Sequence, residues 1–265
     1  LWQRAILKSK WWPGVVTVYG EWPNQPSHVV PFFTSVLNAQ QSTRAVAAAK
    51  NRTAVDLSNR NLRLLYVGRL SKAKNIHAVI AAIAELKAEG LTIECDIVGD
   101  GPEREALEKR VAESQLQSQV SFAGGVDFDS VLNFYERADV LALISETEGW
   151  PKAIAEAMAF GLVCIGSDRG LVPRMLGKML GVGLQESRGL VIEPGDTVAL
   201  AEALRQIAAE PSEYFRLGQR AAAWSANYSL EGLREALRDL LSERWQIDRI
   251  SFTQPRGTLG KEGLE

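Results

Sequence analysis

Short apolar runs alternate with helical patterns along most of the chain from residue 62 onward. The run LRLLYVG (62–68) ends at a glycine, and the segment after it carries apolar side chains at three- and four-residue intervals as far as Gly90. Runs that are apolar throughout are typical of strands buried on both faces of a sheet, and the longer intervals are typical of helices. The cycle recurs up to a helix predicted over 197–209, and it predicts a doubly wound α/β fold with a parallel, Rossmann-like sheet.

The same pattern divides the chain into three parts. Residues 1–60 hold apolar runs without a regular plan, followed by a polar, alanine-rich connector in which we expect one helix. Residues 61–245 form the α/β domain, which closes with an amphipathic helix and is expected to bind its ligand at the carboxyl ends of the strands. Residues 246–265 are polar and contain glycine, so we predict a loose tail there.

Composition and charge exclude several classes of protein. The chain has 265 residues, and its 30 Lys and Arg side chains against 32 Asp and Glu give a net charge of −2, so it lacks the basic excess of a nucleic-acid-binding protein. Its longest apolar stretch, 153–166, contains Glu156 and is too short to cross a bilayer. Cys95 and Cys164 lie within apolar runs and are predicted to be free thiols, which favours a cytoplasmic location.

A basic loop follows the first strand of the predicted sheet, in the sequence VGRLSKAKN. Gly68 allows the backbone to turn, and Arg69 and Lys74 stand five positions apart beside the strand end. A guanidinium binds a diphosphate in a bidentate manner and an ammonium adds a more adjustable contact, so this pair suits a diphosphate. The alternative is a solvated loop, and the spacing alone does not decide between the two.

Two other motifs favour structural roles. IVGDGPEREALE contains Gly-x-Gly, but Arg104 replaces the third glycine of a dinucleotide fingerprint and Pro102 removes a backbone donor. We therefore interpret this motif as a tight turn at the start of a helix. Asp127 and Asp129 begin the next predicted helix, where capping explains them better than metal binding, and we predict no metal site.

The segment SETEGWPKAIAEAMAFG (145–161) carries the strongest signal. Gly149 permits a loop, and Pro151 suits the first position of a helix whose free N–H groups form an anion site at the sheet edge. Glu156 is the only acid among the apolar residues of this helix, so it needs hydrogen-bond partners such as the two hydroxyls of a ribose. Glu148 lies at the mouth of the site, where it can accept hydrogen bonds from a sugar. For each acid alone, an exposed or ion-paired glutamate is the alternative.

In order and spacing, GRLSKAK, IVGDGPEREALE, ADVLALIS, EGWPKAIAEAMAFG and GLVIEPGD resemble the carboxyl-terminal, donor-binding half of retaining glycosyltransferases of family 4, which have the GT-B fold. The resemblance covers about residues 62–245. It implies that Arg69 and Lys74, with the turn at Gly68, hold the diphosphate of a nucleotide sugar. It also implies that Glu156 binds the ribose and that Glu148 is the catalytic residue at the transferred sugar. The sugar pocket is then lined by Gly149, Trp150, Pro151 and Lys152, and the base is edged by Val126.

The resemblance implies transfer of a hexosyl or related sugar from a nucleoside diphosphate sugar, with retention and without a metal or cofactor. Family members have a preceding acceptor-side α/β domain, so residues 1–60 are expected to be a remnant of it plus the connector, with the rest missing from this chain. The expected acceptor is a glycan or a lipid-linked molecule in polysaccharide biosynthesis, with peripheral association of the full enzyme at the inner face of a membrane. Arg174 departs from the family, which usually has an acid there. A non-catalytic nucleotide-binding module and a GT-B epimerase stay as alternatives.

Overall fold

The computed structural model describes residues 2–9, 11–20, 22, 24–35, 37–52, 60–177 and 186–245. The amino-terminal part forms α1 (Trp2–Leu7), β1 (Val16–Tyr19), β2 (Val29–Phe32) and α2 (Ala39–Asn51). The two strands pair in parallel as a small sheet of their own. The helix expected in the connector is α2, and Leu37 and Ala45 join the hydrophobic core of the domain that follows.

Six strands form the central sheet, namely β3 (Leu62–Val67), β4 (Ile93–Val98), β5 (Val120–Gly124), β6 (Val140–Leu143), β7 (Val163–Ser167) and β8 (Leu190–Ile192). They are parallel throughout, in the order β5-β4-β3-β6-β7-β8. The chain builds outward from β3 to one edge, returns to β6 and builds to the other edge. The crevice at the carboxyl ends of β3 and β6 is therefore the topological switch point, where ligands bind in open α/β sheets.

Helices cover both faces of this sheet, namely α3 (Ile76–Ala88), α4 (Arg104–Glu113), α5 (Phe128–Arg137), α6 (Lys152–Ala159), α7 (Val172–Met175), α8 (Thr197–Ala209) and α9 (Pro211–Ser225). The last helix, α10 (Leu230–Trp245), instead bonds to the amino-terminal part of the chain, at Leu37 and Ser27. Because the sheet is covered on both sides, β6 and β7 are buried at every position. The parallel α/β fold predicted from the sequence is confirmed. No helix in the described part of the chain is long and apolar enough to span a membrane.

The sequence pattern did not predict α9, and the composition of its buried face explains why. The buried positions keep the spacing of a helix, but several of them are occupied by very small residues, so few strongly apolar side chains mark the stripe; its members are Tyr214, Phe215, Leu217, Gly218, Ala221 and Ser225. Gly218 packs so closely that a Cβ there would lie 2.2 Å from the carbonyl oxygen of Gly161. Residues 53–59 and 246–265 lie outside the described residues, so the domain boundary near residue 60 and the loose tail stay predictions.

Asp139 holds together the amino-terminal ends of the two central strands, β3 and β6. Its side chain is 1% exposed and accepts two hydrogen bonds from the Arg60 guanidinium, at 2.6 and 2.7 Å. It also accepts the backbone N–H of Arg63 at 3.0 Å, and the buried Arg52 guanidinium lies 3.8 Å away. Arg52 in turn donates to the Tyr135 carbonyl at 2.9 Å. This network joins α2 and α5 to the two strands that border the switch point.

Asp139→Asn is expected to lower the free energy of unfolding by about 3 kcal/mol or more, because it leaves two guanidinium groups without their buried counter-charge. The measurement is urea-induced unfolding followed by circular dichroism. Asp96→Asn is the matched control, since the Asp96 side chain is 27% exposed in its ion pair with Arg137. Its cost is expected to stay below about 1 kcal/mol. Equal effects of the two substitutions would contradict the anchoring role of Asp139.

Candidate active site

Two segments lie against each other at the carboxyl ends of β3 and β4. They are the basic turn, residues 68–74, and the glycine loop, residues 99–102. Gly68 donates its backbone N–H to the Val98 carbonyl at 3.0 Å, and Leu70 donates to the Asp100 carbonyl at 2.9 Å. A Cβ on Gly99 would lie 1.9 Å from the Gly68 carbonyl oxygen, so a residue with a side chain does not fit there. The contacts agree with the interpretation of IVGDGP as a tight turn, and they show that this turn supports the basic loop.

Tyr66 holds the backbone of Arg69 in place through a hydrogen bond. The fully buried Tyr66 donates its hydroxyl to the Arg69 carbonyl at 3.0 Å. Burial raises the pKa of Tyr66 well above its ordinary value, and the nearby Glu148 carboxylate raises it further. The Arg69 side chain itself is exposed, and its guanidinium makes no hydrogen bond to any residue that the structure describes. It is therefore available to an anion at the switch point.

Lys74 and Glu148 form an ion pair across the switch point. Lys74 ends a short 3-10 turn, Lys72–Lys74, and its Nζ lies 2.5 Å from Glu148 Oε1. The side chains are 25% and 10% exposed, respectively, so the carboxylate is largely withdrawn from water. Two residues that are far apart in sequence, and were both predicted to contact the donor, are thus in direct contact. Gly68 and Arg69, which were also predicted to bind the donor, lie on the turn that leads to Lys74.

Asn75 holds the basic turn against the loop that carries Glu148. It adopts a left-handed conformation with φ of 53°, and its Nδ2 donates to the Ile144 carbonyl at 3.0 Å and to Glu146 Oε1 at 2.8 Å. The Ile144 carbonyl also accepts the backbone N–H of Gly195, at 3.1 Å. The sequence analysis did not assign Asn75 to the site. Its position directly after KAK was an available signal, because asparagine tolerates the left-handed region better than other residues with side chains.

Gly170 brings a third loop into contact with the Glu148 backbone. Its φ is +59°, and a Cβ on it would lie 1.7 Å from the Glu148 carbonyl oxygen. The residue follows β7 by three positions, in the DRG turn. Loops after β3, β6 and β7 therefore meet around Glu148, and only glycine allows this approach at position 170.

Glu156 lies apart from the Lys74–Glu148 pair. It is on α6 and faces α5. Its side chain is 7% exposed, and one carboxylate oxygen accepts the Tyr135 hydroxyl at 2.9 Å. Burial raises the pKa of Glu156, while the Tyr135 hydrogen bond and the Lys152 charge lower it. Glu156 also lines a cavity of about 290 Å³ together with Trp150 and Lys152. The sequence analysis expected this buried acid to need a hydrogen-bond donor. The structure supplies one, the Tyr135 hydroxyl, which the sequence analysis did not identify.

The loop that carries Glu148 runs from β6 to the start of α6, the helix that carries Glu156. Pro151 is the residue before the helix rather than its first residue, and no side chain caps this end. Trp150 packs in an aromatic cluster, with ring centroids 6.3 Å from Tyr19, 6.4 Å from Phe33 and 5.5 Å from Tyr228. Gly149 is exposed, with no atom within 4 Å of a Cβ built on it. Glu148 and the Glu156 cavity are therefore joined by a loop that is fixed at Trp150.

Val126 lies on the loop between β5 and α5, where it is half-buried against the core. The following Asp127 accepts the backbone N–H of Ser130 at 2.9 Å, so the capping role predicted for it is confirmed. This hydrogen bond lowers the pKa of Asp127. Among the residues described, no group of three His, Cys, Asp or Glu side chains is arranged to hold a metal ion.

Gly170→Ala is expected to push the Glu148 loop away from its position, because the new Cβ overlaps the Glu148 carbonyl oxygen. Hydrogen–deuterium exchange measured by mass spectrometry is expected to quicken over residues 144–149. Gly125→Ala is the matched control, since its Cβ meets no atom within 4 Å and its backbone φ is not positive. Unchanged exchange over 144–149 in the Gly170 variant would show that the contact does not hold this loop.

Glu156→Gln is expected to raise the melting temperature at pH 8 by roughly 2–4 °C, the shift that about 1 kcal/mol gives in a domain of this size. A carboxyl group whose pKa rises on folding destabilises the fold once it ionises. The loss of folding free energy therefore develops as the pH rises from the pKa of the unfolded chain to the higher pKa of the folded protein. The difference between variant and wild type, measured by calorimetry, is therefore expected to shrink at pH 5. A variant that melts below the wild type at pH 8 would contradict the stated sign.

Known proteins resemble this chain over its α/β part. N-acetyl-alpha-D-glucosaminyl L-malate synthase of Bacillus anthracis is 28% identical over 158 residues, which are 60% of this chain and 39% of that protein. Among solved structures, sucrose-phosphate synthase from Thermosynechococcus elongatus has 26% identity and a TM-score of 0.64, covering 82% of this chain and 52% of that one. HepE of Anabaena in complex with UDP-glucose has 17% identity and a TM-score of 0.66, covering 83% and 59%.

The Rossmann-like fold predicted for the GT-B type is confirmed by these structures. The chain spans about half the length of the solved proteins, and less of the Bacillus anthracis relative. The family model for glycosyl transferases group 1 matches residues 48–224, which is more than half of the chain, and this protein therefore belongs to the glycosyl transferases group 1 family.

Proposed function

We propose that this chain is the donor-binding part of a retaining, metal-independent glycosyltransferase of family 4. The observation that carries the proposal is the meeting of Lys74 and Glu148 at the switch point, 2.5 Å apart, beside the exposed Arg69. Cations suit a diphosphate, and an acid next to them suits the hydroxyls of the attached sugar. The complex of the structural neighbour HepE with UDP-glucose supports a nucleotide sugar as the donor.

In this proposal the side chains take the roles that the family resemblance implies, and the ion pair at the switch point supports those of Lys74 and Glu148. Arg69 and Lys74 bind the diphosphate and offset the negative charge that develops on the leaving group, which is the task of a divalent ion in other enzymes. Glu148 acts at the transferred sugar. Glu156 accepts the ribose hydroxyls next to the bond from Tyr135, since a carboxylate has lone pairs for several donors. Val126 borders the base.

The remaining parts of the proposal concern the whole enzyme. A preceding α/β domain of a longer chain supplies the acceptor site, and the transferred group is a hexosyl or related sugar. The acceptor is a glycan or a lipid-linked molecule in polysaccharide biosynthesis, met at the inner face of a membrane. A cytoplasmic site of action fits the two buried free thiols, Cys95 and Cys164, because such thiols persist in a reducing compartment.

Isothermal titration with UDP, GDP and ADP tests the proposal. We expect binding to at least one of them with a Kd below about 1 mM, unchanged by EDTA, since the diphosphate is held by side chains rather than by a metal. Lys74→Met is expected to weaken binding at least about tenfold through loss of a charge-assisted hydrogen bond. Lys72→Met is the matched control, because Lys72 is an exposed lysine of the same turn.

Three results would contradict the proposal. They are an absence of heat with all three nucleotides, an equal loss in both lysine variants, and binding that EDTA abolishes. Retention is tested separately, by NMR assignment of the anomeric configuration of the product formed by the intact enzyme.

A further inference from the structure

Lys74 is paired with an acid of the same chain, because its ammonium nitrogen lies 2.5 Å from a carboxylate oxygen of Glu148. The pair is only partly exposed, at 25% and 10%, so solvent and salt screen it less than a surface ion pair. The backbone on both sides is held as well, by Asn75 on the lysine side and by the close approach of Gly170 on the glutamate side. Less conformational entropy is therefore lost in forming this pair than between two free surface side chains.

A diphosphate that binds Lys74 competes with Glu148 for a single positive charge, even though the three N–H donors of the ammonium can contact both anions. The Glu148 carboxylate then shares its counter-charge with phosphate oxygens of the same sign, which disfavours the complex. A sugar attached to the diphosphate changes this balance, because its hydroxyls donate hydrogen bonds to Glu148 in place of the ammonium. A nucleoside diphosphate without a sugar brings no such donors to this position.

We propose that the Lys74–Glu148 ion pair makes the site select the nucleotide sugar over the nucleoside diphosphate that remains after transfer. This inference rests on the proposed function and adds to it a specificity-determining role for Glu148. Before transfer, Glu148 is compensated by the sugar. After transfer, Glu148 again competes with the diphosphate for Lys74 and favours release of the spent nucleotide.

The test is a titration of Glu148→Gln and wild type with whichever of UDP, GDP and ADP the wild type binds. The glutamine keeps the shape of the side chain but no longer competes as an anion, so the variant is expected to bind the nucleoside diphosphate about fivefold more tightly. The gain is expected to be largely kept in 0.5 M salt, because salt screens this partly buried pair less than a surface ion pair. Glu148→Ala, expected to change affinity in the same direction, serves if the glutamine variant does not fold.

Glu146→Gln is the matched control. Glu146 is an exposed acid of the same loop, and the glutamine keeps the side-chain oxygen that accepts the hydrogen bond from Asn75 Nδ2. The substitution therefore removes only a charge that does not contact Lys74, and it is expected to change the affinity less than twofold. Equal gains in both variants would mean that lost negative charge alone is responsible, and would overturn the inference. So would unchanged or weaker binding by Glu148→Gln while the wild type binds, which leaves the proposed function standing. A wild type that binds none of the three nucleotides removes the proposed function first and this inference with it.

Discussion

The reversal of strand order between β3 and β6 is the constraint on which the candidate site depends. The two strands are neighbours in the sheet, paired at Leu64 with Val140 and at Leu65 with Leu141, yet the chain leaves them toward opposite edges. Their following loops therefore diverge and leave a crevice, with Lys74 on one side and Glu148 on the other. Apolar burial holds this register, and the network around Asp139 holds the other end of the same two strands.

Close approaches of the backbone help to fix the loops that bear the charges. Gly99 and Gly170 lie so close to other carbonyl oxygens that a Cβ at either position would overlap them. Asn75 adds hydrogen bonds to the loop after β6 from a left-handed conformation. Close approach of this kind leaves few alternative loop positions, so the ion pair between Lys74 and Glu148 is preorganised. A site built in this way binds ligands without first ordering its own loops.

Glu156 belongs to a different electrostatic setting from Glu148, although the two acids lie on one short segment. Glu148 has a cation as its partner, whereas Glu156 is buried beside a tyrosine hydroxyl and lines a cavity together with Trp150. Trp150 lies between them and packs against residues of the amino-terminal segment and of the loop after α9. These ring contacts tie both segments to the loop that joins the two acids.

The periodicity of the chain was sufficient for the parallel α/β fold, for most helices and for the residue types at the site, because apolar spacing and turn residues are local properties. It also marked the segment around Glu148 and Glu156 as chemically unusual. It did not reveal α9, whose buried face contains few strongly apolar side chains. It also missed the role of Asn75 and the partner of Glu156, since both depend on residues distant in sequence. Strand order, set by how the whole sheet is buried, brought Lys74 to Glu148 and turned Glu156 toward Tyr135, and no local pattern encodes such pairings.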